Sequence, residues 1–264
     1  MKRGWLAACL LFVATGVFAQ MTPMPKPELY LIHEEVARPS MLTQYESVTR
    51  DFLNAFTEKK ADPKMWGMNL YMTNDMHYIY VVPISNWAVM DAMPQNWASM
   101  SQAIGKDRWK DLMTRGNSAI YSYSETVAVR RPDLSYVPAT PRLKQDEQKF
   151  VHLMFYYIDA AKTDEAEQVA RDYAALFKAK NVTDPFTIFQ ALSGEDLPLY
   201  VVSVPAKSAA DYYANDERVN AMLGADVRPL QGRAMALARK LDHRDATYRP
   251  DLSYPLPTTM TAAK

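Results

Sequence analysis

Four histidines, His33, His77, His152 and His243, are the only imidazoles in this chain of 264 residues, and its single cysteine is Cys9. No two histidines stand two or four apart, the short spacings that let one strand or helix grip a metal ion. The pair best placed for acid–base chemistry is His33 with Glu35. Alternate residues of a strand share a face, and a carboxylate beside an imidazole can hold or move a proton. Both are therefore candidate catalytic groups; the competing reading leaves them in solvent near the end of a strand. Tyr123, Glu125, His152 and His243 are the candidate pocket-lining residues. Tyr123 and Glu125 would join His33 and Glu35 if the strands carrying them met, but the first and last strands of the four-stranded sheet expected here are taken not to be neighbours.

The methionines pose a second question. Met65, Met68, Met72 and Met76 precede His77, and thioethers suit Cu(I). A strand through this segment would instead put Met68 and Met72 on one face with Trp66 and Leu70, as in a packed core. Other signatures are missing from the sequence: a phosphate loop, a Gly-x-Gly-x-x-Gly turn, a Gly-x-Ser-x-Gly elbow and a Cys-x-x-Cys-His haem attachment. No protein-bound metal is predicted.

These side chains must be positioned by a duplicated module. Arg-Pro-Asp-Leu-Ser-Tyr occurs as Arg131–Tyr136 and again, 118 residues on, as Arg249–Tyr254. Val48, Phe52 and Phe56 match Val169, Tyr173 and Phe177, each set spaced as one face of a helix. Tyr80-Val81-Val82 matches Tyr200-Val201-Val202, each after a polar turn and an earlier strand-like run, Trp66–Met72 or Phe186–Leu192. Opening strands are predicted at Leu29–Val36 and Phe150–Ile158. Helices are predicted at Trp87–Ile104 and Ala209–Leu223, with a short one near Asp107–Met113. Closing strands fall at Ile120–Val129 and Arg239–Tyr248. Each half reads β-α-β-β-α-β, over residues 28–136 and 149–254, joined by a linker at 137–148.

In the hexapeptide, proline sets the exit direction of the preceding strand, aspartate can accept hydrogen bonds in the turn, and leucine and tyrosine offer apolar anchors. A segment kept in both copies serves something both need. Arg131, Asp133, Tyr136, Arg249, Asp251 and Tyr254 are predicted to form structural clasps, each crossing to the opposite half; a ligand-binding loop is the alternative. The same alignment sets Glu125 against His243, so the halves differ there, as a pocket in only one of them would require.

A four-stranded sheet with helices on one face leaves the other bare, and two such modules can cover each other. The predicted fold is α+β, two tandem ferredoxin-like repeats forming a pseudo-dimeric α+β barrel in one chain. The duplicated layout, with its long first helices, resembles the dimeric α+β barrel superfamily, and NIPSNAP-like and EthD-like tandem proteins within it. That resemblance implies a group containing small monooxygenases, isomerases, haem enzymes and members without known activity. It leaves three readings: a binder of a small apolar or aromatic molecule or of a protein partner; a cofactor-free monooxygenase or isomerase acting on an aromatic substrate; and a haem or copper protein. For haem, His152 or His243 would be the second-half axial ligand. Five Trp, 16 Tyr and 9 Phe supply lining material for the first reading.

Residues 1–19 read as a secretory signal: Lys2 and Arg3, an apolar run Leu6–Val13, and Val17-Phe18-Ala19 before the cleavage point. A lipobox reading at Leu6–Cys9 competes. An exported, periplasmic or secreted protein is expected, with no membrane span after signal removal. Its near-balanced charge, 30 basic and 30 acidic residues, and lack of a basic stripe argue against nucleic acid. A barrel built by one chain can be monomeric. The tail, 255–264, is expected to be disordered.

Overall fold

Alternating apolar and polar residues in the strand segments leave each sheet with two faces to cover, and the chain covers them differently. A computed structural model describes residues 28–256, apart from Glu195 and the side chain of Pro63. The expected leader at 1–19 and most of the expected tail lie outside the described residues. The strands are β1 (Leu29–Ala37), β2 (Asn69–Thr73), β3 (His77–Ile84), β4 (Ile120–Arg130), β5 (Phe150–Ile158), β6 (Thr187–Ala191), β7 (Leu199–Ala206) and β8 (Ala238–Tyr248). The helices are α1 (Leu42–Glu58), α2 (Pro63–Trp66), α3 (Ala88–Ile104), α4 (Lys106–Ala119), α5 (Thr163–Ala179), α6 (Ala209–Leu223) and α7 (Val227–Leu237).

The eight strands close into one barrel in the order β1-β3-β2-β8-β5-β7-β6-β4. Within each half the first strand lies between the third and the fourth. The two halves join edge to edge, Tyr71 opposite Tyr248 at the β2–β8 seam and Val129 opposite Gln190 at the β4–β6 seam. Closure leaves no exposed sheet edge. The bare faces expected from each module thus become the barrel interior, where Tyr71 meets Tyr248 and Arg244 lies over Phe155.

The outer faces carry the helices. Val48 and Phe56 of α1 are buried in a cluster with Leu112 of α4, and Val169 of α5 is buried on the other half. α3 and α6 end at Gly105 and Gly224, whose positive φ values of 101° and 63° stop each helix and turn the chain into the next.

Three expectations change. β1 and β4 are neighbours, and His33 lies opposite Glu125; the expectation that they are apart is wrong, because the two helical crossovers of this unit set its first strand between the third and the fourth. Trp66 belongs to the short α2, so the strand expected at Trp66–Met72 begins only at Asn69. α4 runs on through Gly116 to Ala119, well past the short helix expected near Asp107–Met113, because its face packs on α1: a side chain at Gly116 would meet Phe52 and Val48 at 3.9 Å, ordinary contact distance.

Candidate functional site

Strand pleating points Leu29, Leu31, His33, Glu35 and Ala37 toward the first-half helices. Around His33 the structure gathers four of the residues singled out in the sequence. Nδ1 of His33 is 3.1 Å from a Glu125 oxygen and Nε2 is 3.1 Å from a Glu35 oxygen, while the Tyr123 ring lies 5.7 Å away. The second Glu35 oxygen accepts from the Tyr45 hydroxyl at 2.5 Å, and Tyr45 shares a 2.7 Å hydrogen bond with Tyr80. Burial pulls the His33 imidazole toward neutrality, but the hydrogen bonds and charges of Glu35 and Glu125 outweigh it and hold the pKa above its usual value. An imidazolium between two carboxylates has both ring nitrogens occupied. It is suited to locking β1, β4 and α1 together rather than to taking a proton from a ligand.

The corresponding place in the second half is open. Offsets from the aligned elements set Met154 and Tyr156 where the first half has His33 and Glu35, and His243 where it has Glu125. Met154 pairs with His243 across β5 and β8. Here a cavity of about 530 Å³ lies between the sheet and α5, α6 and α7. Tyr156, Tyr200 and Val202 form its floor, and Tyr173, Val219 and Ala234 its helical wall. Asp216, Asn220, Gln231, Met235 and His243 line it and are exposed, which marks its open side, with His243 at the sheet edge of the mouth.

Paired differences between the halves explain why the cavity is here. Counting back from Gly105 and Gly224, Trp97 of α3 corresponds to Asp216 of α6. Counting back from the ends of α4 and α7, Trp109 corresponds to Val227. In the first half Trp66, Trp97 and Trp109 pack edge-on or tilted with Phe52 and Phe56 at centroid distances of 4.8–5.7 Å and fill the gap between sheet and helices. The second half has no indoles to do this, so the space remains.

The cavity's polar side chains are four phenols, the amides of Asn215, Asn220 and Gln231, three carboxylates and His243. Burial raises the pKa of Tyr156, Tyr173, Tyr200 and Tyr212, keeping all four protonated. Tyr200 donates to Glu167 at 2.9 Å. The only described contact of the Tyr156 hydroxyl is the Met154 sulfur at 4.0 Å, too long to satisfy it. The acids on the wall are Glu167, Asp184 and Asp216, and among the described residues no Lys or Arg lines it. Asp184 is buried and bonded to Arg142 at 2.7 Å and to Arg218; Glu167 is held by Arg131 at 2.6 Å.

At the mouth, β5–β8 pairing assembles a group that sequence spacing hid. Asp245 lies 2.6 Å from Nδ1 of His152, and Nε2 of His152 lies 3.2 Å from Nδ1 of His243. Tyr213 donates to the other Asp245 oxygen at 2.8 Å, and Tyr212 stacks on His152 at 4.3 Å. Burial first, and then the adjacent His152, lower the His243 pKa below its usual value. His152, His243 and Asp245 also line a second, polar cleft of about 250 Å³ with Asp75 and Arg244. Sequence reasoning misses Asp245 and Tyr213, although Asp245 stands two residues from His243 as Glu35 does from His33.

The remaining candidates are dispersed. His77 bonds Glu34 on the barrel interior, the opposite face of the sheet from Met68 and Met72, which pack into a first-half core cluster, and Met65 is exposed on α2. The methionines and His77 therefore do not converge on a copper ion. Among the described residues no group of three or more His, Cys, Asp or Glu is arranged to hold a metal ion. Haem fits the cavity poorly as well. His243 is the one imidazole on the wall, it is bonded to His152, and two propionates would meet Asp216 and Glu167 with no cation lining the cavity.

The repeated hexapeptide makes matching contacts in the two halves. Arg131 reaches Glu167 and Gln190, Ser135 Oγ accepts from the Ile188 amide, and the Tyr136 hydroxyl donates to the Val182 carbonyl. Arg249 reaches Glu46, Ser253 Oγ accepts from the Leu70 amide, and Tyr254 donates to the Ala61 carbonyl. Leu134 and Leu252 are fully buried, Leu134 in the second-half core and Leu252 in the first.

No family model matches the chain, and no curated protein matches it. Solved structures do. An anthrone oxidase-like protein superposes with a TM-score of 0.56 at 9% identity, over 86% of this chain and 92% of that one. A candidate monooxygenase from Lactobacillus acidophilus NCFM gives 0.50 at 7%, over 84% and 94%. A mutant chlorite dismutase from Candidatus Nitrospira defluvii gives 0.51 at 7%, over 84% and 92%. The fold is a pseudo-dimeric α+β barrel formed by one chain. At such identities the likeness shows the fold of this barrel and nothing about its chemistry.

Proposed function

We propose that this barrel is an exported binder of a small, neutral aromatic molecule, held between the second-half sheet and α5–α7. The observation that carries the reading is the cavity of about 530 Å³, walled largely by apolar side chains and tyrosines, with amides and carboxylates among its other groups and no Lys or Arg among the described residues that line it. Its size falls within the usual range for small-molecule sites. A flat aromatic ligand would lie among Tyr156, Tyr173 and Val202, with a hydroxyl or carbonyl group meeting a phenol. An anion would lose its hydration and find carboxylates at the wall. The solved neighbour described as an anthrone oxidase-like protein has a name in keeping with an aromatic ligand. The sheet closes within one chain, so the proposed binder needs no second copy to complete its barrel. Among the described residues, no helix is long and apolar enough to cross a membrane.

The test compares two dyes of similar ring size. Neutral N-phenyl-1-naphthylamine should bind one per chain with enhanced fluorescence, and the sulfonate 8-anilinonaphthalene-1-sulfonate should bind far more weakly. Equal binding of the two, or binding of neither, overturns the reading.

The hexapeptides serve a different purpose, as clasps that hold the strand exits of each half onto the other. Their polar atoms are engaged with protein partners and their leucines are buried, which leaves little to offer a ligand.

A further inference from the structure

We infer that Asp245, His152 and His243 form a proton relay whose outer imidazole, His243, is a catalytic base acting on a carbon acid bound in the second-half cavity. The inference rests on the ligand-binding reading above and deepens it from binding to proton transfer.

With His152 neutral, the chain of hydrogen bonds sets the tautomers. An ionised carboxylate only accepts, so Asp245 takes the Nδ1–H of His152. Nε2 of His152 is then a lone pair and accepts the Nδ1–H of His243 at 3.2 Å. Nε2 of His243 is left as an unprotonated nitrogen with no protein partner among the described residues. The His243 ring lines both the apolar cavity and the polar cleft containing Asp75, Arg244 and Tyr213. It thus stands between a place for a ligand and a place for exchanging protons with water. The ionisable groups around it are His152 on β5, Asp242, Arg244 and Asp245 on β8, Tyr212, Tyr213 and Asp216 on α6, and Asp75 before β3. Its lowered pKa keeps it unprotonated near neutral pH, as a base requires.

The chemistry needs no co-reactant. Nε2 of His243 takes a proton from a carbon next to a ligand carbonyl. The C–H electron pair becomes the C=C bond of an enolate, and the carbonyl π pair moves onto oxygen, where a protonated phenol such as Tyr156 or Tyr173 can donate. The imidazolium passes its Nδ1 proton toward His152, where Asp245 balances the charge. Return of a proton to the same carbon gives exchange with solvent; return to a different carbon gives an isomer. The substrate class is a neutral aromatic ketone with an acidic C–H. His243 would touch the substrate, whereas His152 and Asp245 are positioning residues.

The probe is 2-tetralone, a neutral bicyclic ketone whose C1 hydrogens are activated by both ring and carbonyl. The protein should displace N-phenyl-1-naphthylamine with 2-tetralone and accelerate C1 deuterium exchange in D2O. His243→Gln should reduce that acceleration by about 100-fold or more when measured at a 2-tetralone concentration that saturates the variant, its affinity being read separately by dye displacement. Asp245→Asn should reduce it by about tenfold or more and shift the pH profile, a change that lost packing alone would not cause. Nitrogen-15 NMR of the ligand-free protein should show His243 as the Nδ1–H tautomer. A His243→Gln variant that binds dye and still exchanges, a wild type that binds 2-tetralone without exchange, or an Nε2–H tautomer at His243 overturns the relay. Failure of both dye and 2-tetralone to bind the wild type overturns the cavity reading first, and the relay with it.

Discussion

Leu252 is the sharpest probe of how the two halves are joined. It belongs to the second copy of the hexapeptide, yet it has no exposed surface and packs with Tyr45, Leu70 and Tyr78 of the first half. Leu252→Ala removes three carbons from a site that cannot collapse easily, because the Tyr45 and Tyr78 rings beside it are themselves almost fully buried. Such truncations cost roughly 2–5 kcal/mol, and about 3 kcal/mol is the expectation here. For a structure of this size that lowers Tm by roughly 6–12 °C. The control is Asp251→Ala in the same segment. That carboxylate is 46% exposed and pairs with Arg50 and Arg249, so its loss should cost at most about 1 kcal/mol. Urea unfolding followed by circular dichroism reads both. Leu134→Ala should match Leu252→Ala from the other half, and because the two leucines sit in different clusters the double variant should be additive. If Leu252→Ala proves as mild as Asp251→Ala, the segment does not clasp the first half.

Other outcomes follow from the ionic groups and the cavity. Hydrogen bonds from Arg249 bring the Glu46 carboxyl down to about 2. Its contribution is therefore present above the ordinary carboxylate pKa and lost as pH falls through about 2, and Glu46→Gln should flatten the fall in urea midpoint between about pH 4.5 and 2. The raised His33 pKa has the opposite sign. Its contribution is complete below about 6.5 and disappears as pH rises through the folded value, so His33→Gln should remove a stability loss on the alkaline side of about 6.5 without altering dye binding. Ala234→Trp on α7 should fill the cavity, abolish binding of N-phenyl-1-naphthylamine and leave the far-ultraviolet spectrum unchanged.

Much of the architecture is legible in the sequence because duplication writes it twice. Val48, Phe52 and Phe56 recur as Val169, Tyr173 and Phe177, and their spacing alone places a helix. The start of β2 is not legible in the same way, since Trp66 to Met72 is an apolar run and only packing against Phe56 and Trp97 places Trp66 on a helical turn. His33 and Glu35 are visible as a pair, but their meaning depends on Glu125, which the β1–β4 pairing brings opposite. Two carboxylates turn a candidate base into a fixed ion pair. The cavity escapes any reading of one half, because it consists of what is missing: Trp97 and Trp109 become Asp216 and Val227. Asp245 and His152 are 93 residues apart, and only their register across β5 and β8 makes them partners.

Whether a neutral aromatic molecule lies between the second-half sheet and α5–α7 can be read directly from intermolecular nuclear Overhauser effects. The signals run from bound N-phenyl-1-naphthylamine to protein methyl groups. Contacts to Val202, Val204 and Val219, which line the cavity, are expected. Contacts instead to Val89 and Leu112, beside the first-half helices, would contradict the cavity reading.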